Sequence, residues 1–363
     1  MKWVRPGRRS AVRLPSGRTT GRHWQTSPVR DLDVLTDEPL NAETRLDRQD
    51  GAITPAGRHY VRTHFAMPDP SAELVIEGDR RITLAARQVR ALGGTTLAVT
   101  LECAGNGRRF IEPATPGEQW GLGAVGTAEW TGAPLRLLLE RAGVGPGARE
   151  VLFRGADRGV VADVGARVAY ERSLPIADAR REDVIVAWAM NGRPIPREHG
   201  GPLRLVVPGW YGMASVKWLA TIAVLDRSFD GFYQRDRYVI DGRPLREIAP
   251  RAVITFPGDG ALLDGSTLEI KGYAWSGAAR IERVTVGVGA DRADADLGEA
   301  PSAYAWRPFT RKVALASAER LDLVVSARAT DAAGNVQPEV PVWNALGYGN
   351  NAVRPVRVRV SPR

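Results

Sequence analysis

The sequence predicts an α+β first domain followed by an all-β second domain of immunoglobulin type. Three observations carry that reading. A chain of 363 residues is long enough for two domains, each with a core of its own. Up to about residue 245, apolar runs of strand length mix with helical ones, the order expected of an α+β domain. Beyond Arg251 the apolar residues recur at period two between Gly-rich turns, without a helical pattern.

Residues 1–35 read as a basic tail. Lys2 and seven arginines, with no acid, give residues 1–30 a charge of +8 out of the chain's net +9, and like-charge blocks of this kind are solvated. Arg8-Arg9 invites comparison with a twin-arginine export signal, but Arg13, Arg18 and Arg22 interrupt any apolar stretch after it. A cytoplasmic location is therefore expected, or a periplasmic one if an export signal lies upstream.

The first domain is placed at 36–245. Pro39, Pro55, Pro68 and Pro70 break its opening into irregular structure. Leu74 to Ile76 and Leu97 to Val99 read as short buried strands around a helix near Leu84 to Leu92. Residues 104–133, rich in Gly and Pro, form a loop too long for a plain connector. Pro134 opens a helix with Leu135, Leu138 and Leu139 on one face and Gly143 beyond its end. Further strands are expected at Val151 to Phe153, Val184 to Trp188, Leu203 to Val207 and Trp218 to Val224. In the second domain, 246–363, Val284 to Val286, Leu321 to Val325 and Val356 to Val360 alternate as strands. No cysteine remains there for a disulfide.

Several function classes drop out. The most apolar stretch, Leu205 to Leu225, is interrupted by Lys217, so no membrane span is expected. One cysteine rules out an internal disulfide framework and a multi-cysteine zinc site. Gly121-Leu-Gly123-Ala-Val-Gly126 matches the dinucleotide fingerprint in spelling only: Pro113, Pro116 and Gly117 precede it, and the helix waits until Pro134. No phosphate-binding Walker loop or serine elbow occurs. His59 and His64 have no partner cysteine and make no zinc pair.

Cys103 is the residue of interest. It sits where a strand ends and a glycine loop begins, five residues before Arg108-Arg109. Cationic neighbours favour the thiolate, the form that binds metal or attacks. No second motif supplies a histidine base, so a soft-metal ligand is the better chemical fit than a nucleophile.

The run Leu101-Glu-Cys103-Ala-Gly-Asn-Gly-Arg108 resembles the cysteine loop of the sulfite oxidase family of molybdenum–molybdopterin oxidoreductases. Tyr60-Val61-Arg62-Thr63-His64 is similar to that family's segment upstream of the cysteine, and Trp120-Gly-Leu-Gly-Ala to its substrate loop. Met190-Asn-Gly, Pro196-Arg-Glu-His199-Gly, Pro202-Leu-Arg204 and Ser215-Val216-Lys217-Trp218 resemble its cofactor stretch. Lys271-Gly-Tyr-Ala-Trp275, Asn335 to Pro338 and Trp343-Asn344 resemble its dimerisation domain. The likeness runs from about residue 40 to 360 in one order.

The resemblance implies one molybdenum–molybdopterin per chain, with Cys103 as the protein's direct ligand to the metal, and no haem. Tyr60, Val61, Arg62, Thr63, His64, Asp157, His199, Arg204, Ser215, Val216 and Lys217 would hold the pterin and its phosphate. Arg62, Arg108, Trp120 and Arg237 would border the substrate, with Arg62, Arg108 and Tyr238 steadying charge during reaction. Arginine suits an oxyanion because its planar fork makes paired, charge-assisted hydrogen bonds. The family's animal and plant oxidases carry an arginine shortly after the Trp-Asn pair, where this chain has Ala345 and Leu346. Their catalytic tyrosine also aligns one position early, on Arg237 rather than Tyr238, so either residue could fill that place.

The implied activity is oxygen-atom transfer: oxidation of sulfite, or a sulfite-like substrate, with electrons passed to an external acceptor such as a c-type cytochrome. Reduction of an S-oxide, N-oxide or nitrate at the same centre, or a non-catalytic binding role, are the alternatives. The expected partners are a small oxyanion or S-oxide and a second copy in a homodimer; nucleic acid is not an expected partner.

Overall fold

The computed structural model describes residues 31–70, 73–315 and 320–361. Most of the expected basic tail lies outside these residues. Its last part does not: Leu32–Thr36 (β1) pairs antiparallel with Asn41–Thr44 (β2), which pairs with Val61–Arg62 (β3). The first domain therefore begins earlier than residue 36, because Leu32 buries against Ala42 and Val61.

Two larger sheets build the first domain. In one, Glu73–Glu77 (β4) and Arg81–Ala85 (β5) join the later strands Glu150–Val161, Ala166–Pro175 and Leu219–Leu225. Only the pairing of Leu219–Leu225 with β4 is parallel. The other sheet centres on Thr95–Glu102 (β6) and Val125–Pro134 (β7), extended by Ile185–Met190.

The helix expected near Leu84 to Leu92 is shorter than predicted. Residues 81–85 continue as strand, and only Ala86–Arg90 (α1) is helical. Ile82 and Leu84 pair across to Ile76 and Leu74, so cross-strand burial overrides the helical spacing. The glycine loop likewise ends at residue 124, since Val125–Pro134 pairs with β6 along its length. The helix after Pro134 forms as expected over Leu135–Ala142 (α2), burying Leu135, Leu138, Leu139 and Ala142 and stopping at Gly143, whose φ is +80°.

The second domain is two antiparallel-dominated sheets whose apolar faces share a core. Ile254, Leu268, Ile270 and Phe309 come from one sheet, and Val284, Val286, Val325, Val358 and Val360 from the other. The domains are not independent bodies. Val253, Tyr273, Trp275, Trp306 and Tyr348 belong to the first domain's apolar cluster. Among the described residues, no helix is long and apolar enough to cross a membrane.

Candidate active site

Cys103 follows the last residue of β6 and is 7% exposed. Its loop is fixed from two sides. On the first-domain side, Cys103 N donates to Ala124 O at 2.8 Å, Gly107 N to Gly121 O at 2.6 Å and Arg109 N to Trp120 O at 3.2 Å. The glycines that spell a dinucleotide fingerprint serve packing here. Gly121 N and Gly123 N donate to the Glu43 carboxylate at 2.7 and 2.9 Å, and a Cβ on Gly123 would lie 2.2 Å from Thr44 O.

On the other side the second domain clamps the loop. Arg251 and Glu102, both almost fully buried, pair at 2.8 Å, and Trp275 Nε1 and Asn106 Nδ2 each donate to the same carboxylate at 2.9 Å. Gly349 N reaches Ala104 O, and Asn350 Nδ2 reaches Gly107 O, both at 2.8 Å. Gly107 has φ +81° and backs onto Arg251 and Asn350, so the turn needs glycine.

Two cavities meet at Cys103, sharing Arg62, His64, Cys103 and Tyr238 as wall residues. The inner one also gathers Tyr60, Val61, Thr63, Asp157, His199, Arg204, Ser215 and Lys217, residues brought together from five separate stretches of chain. Of the pterin-holding set expected from sequence, only Val216 stands outside this wall; it is packed in the first domain's core. About 640 Å³ of the inner cavity is free of protein atoms, but only about 60 Å³ is wide enough for water. Its cations fold back on carbonyls: Lys217 Nζ donates to Glu198 O at 2.9 Å, and Arg204 to His199 O at 2.8 Å and Ser215 O at 2.9 Å. Among the described residues, the Asp157 Oδ1 and His59 Nε2 atoms are buried with no hydrogen-bond partner.

Burial dominates the electrostatics. It pushes His59 down to about 4, and His64 and His199 well below the usual imidazole range. Lys217 is likewise held well below an ordinary lysine, with Arg204's charge adding to the effect and Asp157 opposing it. Burial drops Arg204 to about 10. The Cys103 thiol is raised: desolvation outweighs the pull of Arg62 and of Arg108, the second of which the sequence suggested. A metal taking this sulfur must therefore displace a proton.

The outer cavity also borders Cys103 and includes Arg108, Trp120, Arg237, Phe232, Tyr233 and Tyr348. About 250 Å³ of it is wide enough for water. Tyr238 lies inside, its hydroxyl 2.5 Å from His64 Nε2, and its backbone takes φ +58°, a conformation rare for a non-glycine residue. Arg237 instead points to the mouth, ion-paired with Asp163 and stacked over Phe232. The two candidates for one position are thus separated by place: the tyrosine is at the junction, the arginine at the rim.

Arg62 donates to Asn41 Oδ1 at 3.1 Å and to Thr63 O. Arg108 is buried and committed, donating to Leu346 O at 3.1 and 3.3 Å and to Glu118 O at 2.9 Å beneath the Tyr348 ring. Trp120 is fully buried, with its indole N–H unpartnered. Sequence reasoning missed an aromatic group around His64: Tyr170 stacks on it at 4.6 Å, Tyr233 meets it edge-on at 4.8 Å, and Tyr348 stacks on Tyr238 at 5.1 Å. These residues sit far apart in the chain, and no local spacing signals their meeting. Among the described residues, no cluster of three or more His, Cys, Asp or Glu could hold a metal.

Comparison with known proteins gives consistent results. Residues 64–233 match the family model described as oxidoreductase molybdopterin binding domain, and residues 243–361 match that of the Mo-co oxidoreductase dimerisation domain. The mitochondrial sulfite oxidase of Drosophila melanogaster is 33% identical, covering 94% of this chain and 65% of that protein. The Mus musculus enzyme of the same name is 34% identical, covering 93% and 68%. The chain thus spans about two thirds of these relatives' length. A nitrate reductase of Oryza sativa is 34% identical over 89% of this chain and 40% of its own. Among solved structures, the sulfane dehydrogenase SoxCD of Paracoccus pantotrophus superposes with a TM-score of 0.76 at 27% identity, covering 94% of this chain and 93% of that one.

Proposed function

Because the chain belongs to the sulfite oxidase family of molybdopterin oxidoreductases, we propose that it oxidises sulfite or a sulfite-like substrate at a molybdenum cofactor bound beside Cys103. The single observation behind this reading is the junction of two unlike cavities at that sulfur. One is lined by cations and suits a phosphorylated pterin; the other, bordered by Arg108 and Arg237, suits a small anion.

The donor set fits the group. Cys103 is a soft, single ligand with no cluster of further protein donors among the described residues, which suits a metal whose other donors would come from an organic dithiolate. Arg204 and Lys217 can give up backbone carbonyls to meet a phosphate, exchanging neutral acceptors for a charged one. Tyr60, Thr63, Asp157 and His199 line the same wall, and the bare Asp157 oxygen can accept from a pterin N–H.

When bound, the cofactor supplies two-electron oxygen-atom transfer. The protein's own residues bind, orient and exclude water. Arg62 contributes positive charge at the junction, and Trp120 closes part of the substrate wall. Burial favours a protonated Tyr238 and a neutral His64, and their hydrogen bond shares one proton between the hydroxyl and Nε2 beside the substrate. The overall reaction converts sulfite and water to sulfate, two protons and two electrons, which leave to an external one-electron acceptor such as a c-type cytochrome. The second domain takes an immunoglobulin-like sandwich form in this reading and carries a homodimer contact.

The test is direct. Protein from a cofactor-competent host is expected to hold about one molybdenum and one pterin per chain and to reduce ferricyanide with sulfite. Cys103→Ser is expected to lower turnover at least a thousandfold while leaving the circular dichroism and oligomeric state unchanged. Folded protein that takes up neither metal nor pterin contradicts the proposal.

A further inference from the structure

We infer that the preferred substrate is an organic sulfinate, R–SO2⁻, rather than the bare sulfite ion. This inference rests on the oxidative reading above and names the substrate class of the same site. Its first support is charge. Three arginines border the outer cavity, but Glu118 shares its wall and Asp163 pairs with Arg237, leaving one net positive charge. Sulfite near neutral pH carries up to two negative charges, whereas a sulfinate carries one.

Hydrogen-bond supply points the same way. Three of the five Arg108 N–H groups already donate to the Leu346 and Glu118 carbonyls, Arg237 Nη1 to Asp236 O, and Arg62 Nη1 to Asn41 Oδ1 and Thr63 O. A sulfinate, with two oxygens to serve, asks less of the donors that remain than sulfite with three, and an unserved oxygen is costly in a dry pocket.

The remaining wall is apolar and roomy. Val161, Phe232, Tyr233, Leu346 and Tyr348 face about 250 Å³, several times the volume of a bare oxyanion. Rings and aliphatic carbons give an oxyanion nothing in exchange for lost hydration, but an alkyl or aryl group buried against them gains the transfer free energy of its surface. A sulfinate would set its sulfur at the junction beside Cys103 and its carbon group among these rings.

The proposed reaction balances as R–SO2⁻ plus water giving R–SO3⁻, two protons and two electrons. The sulfur lone pair forms the new S–O bond, both O–H bonds of the water break, and the electrons pass singly to an external acceptor such as ferricyanide.

The holoprotein, with its molybdenum and pterin content measured first, would be assayed with sulfite, methanesulfinate and benzenesulfinate against ferricyanide. It would also be assayed with methionine sulfoxide against a reduced viologen. The expected result is a kcat/KM for benzenesulfinate at least tenfold above that for sulfite. In Leu346→Arg, which puts a second net cation on the apolar wall, that ratio is expected to fall at least tenfold. Sulfite turnover with a ratio below ten overturns the sulfinate inference and leaves the oxidative reading standing. Fully loaded protein that oxidises none of the three overturns that reading itself, and reduction of the S-oxide instead overturns both.

Discussion

The core of the second domain and the interior around Cys103 are built on opposite terms. Ile254, Leu268, Ile270, Val286, Phe309 and Val358 fill the first with hydrocarbon alone, each contributing through burial. Around Cys103 the chain instead gathers Arg62, Arg204, Lys217, Asp157 and three histidines, of which Arg204, Asp157, His59 and His199 are buried. Buried charges seldom repay their desolvation. Hydrophobic burial therefore accounts for the first region, whereas the second carries charge that the proposed phosphorylated cofactor would meet.

Between the two regions lies the buried Glu102–Arg251 pair, and breaking it should give the largest effect. Arg251→Met leaves a buried carboxylate without its counter-charge and is expected to cost about 3–5 kcal/mol in denaturant unfolding. Adding Glu102→Gln should recover most of that loss, and a single mutant as stable as the parent would show that the clamp is dispensable. A smaller effect on stability is expected at the cavity. Lys217→Met exchanges one carbonyl bond for relief from desolvation, so the cofactor-free protein should stay within about 1 kcal/mol of the parent. Its pterin content, read by fluorescence after denaturation, should nevertheless fall at least tenfold. Equal retention would remove the contrast drawn here.

The smallest expected effect belongs to the second domain's turn at Asp331. Burial opposes ionisation there, but hydrogen bonds from Asn335, Ser276 and Ala333 outweigh it and hold the carboxyl below its usual range. A depressed folded-state value means stability present above the unfolded value of about 3.9 and lost as pH falls through the folded one. Asp331→Asn should therefore melt below the parent at pH 7, with the gap closing as pH drops under about 4. A gap that is constant with pH would assign the loss to geometry rather than charge.

Much of this architecture was readable beforehand, for reasons that differ by region. Strands such as Thr95–Glu102 and Val356–Ser361 announce themselves by composition and alternation. The cysteine loop is legible because its glycines and asparagine answer local backbone demands. Leu84 and Ala85 misled because their partner strand decides their form, and that pairing is a tertiary contact. The aromatic group around His64 was invisible for the same reason: Tyr170, Tyr233 and Tyr348 arrive on three unrelated segments. Arg108 shows the limit of reading charge as availability, since three of its five N–H groups are taken by Leu346 and Glu118 carbonyls that no motif foretells.

The grip of Gly349 and Asn350 on the carbonyls of Ala104 and Gly107 has a practical corollary. Trimming the gene to its amino-terminal half would strip the ceiling from the reaction chamber, taking away Leu346 and Tyr348 together with the bolts that square the thiol-bearing turn. Anyone grafting this centre onto another scaffold must carry both halves.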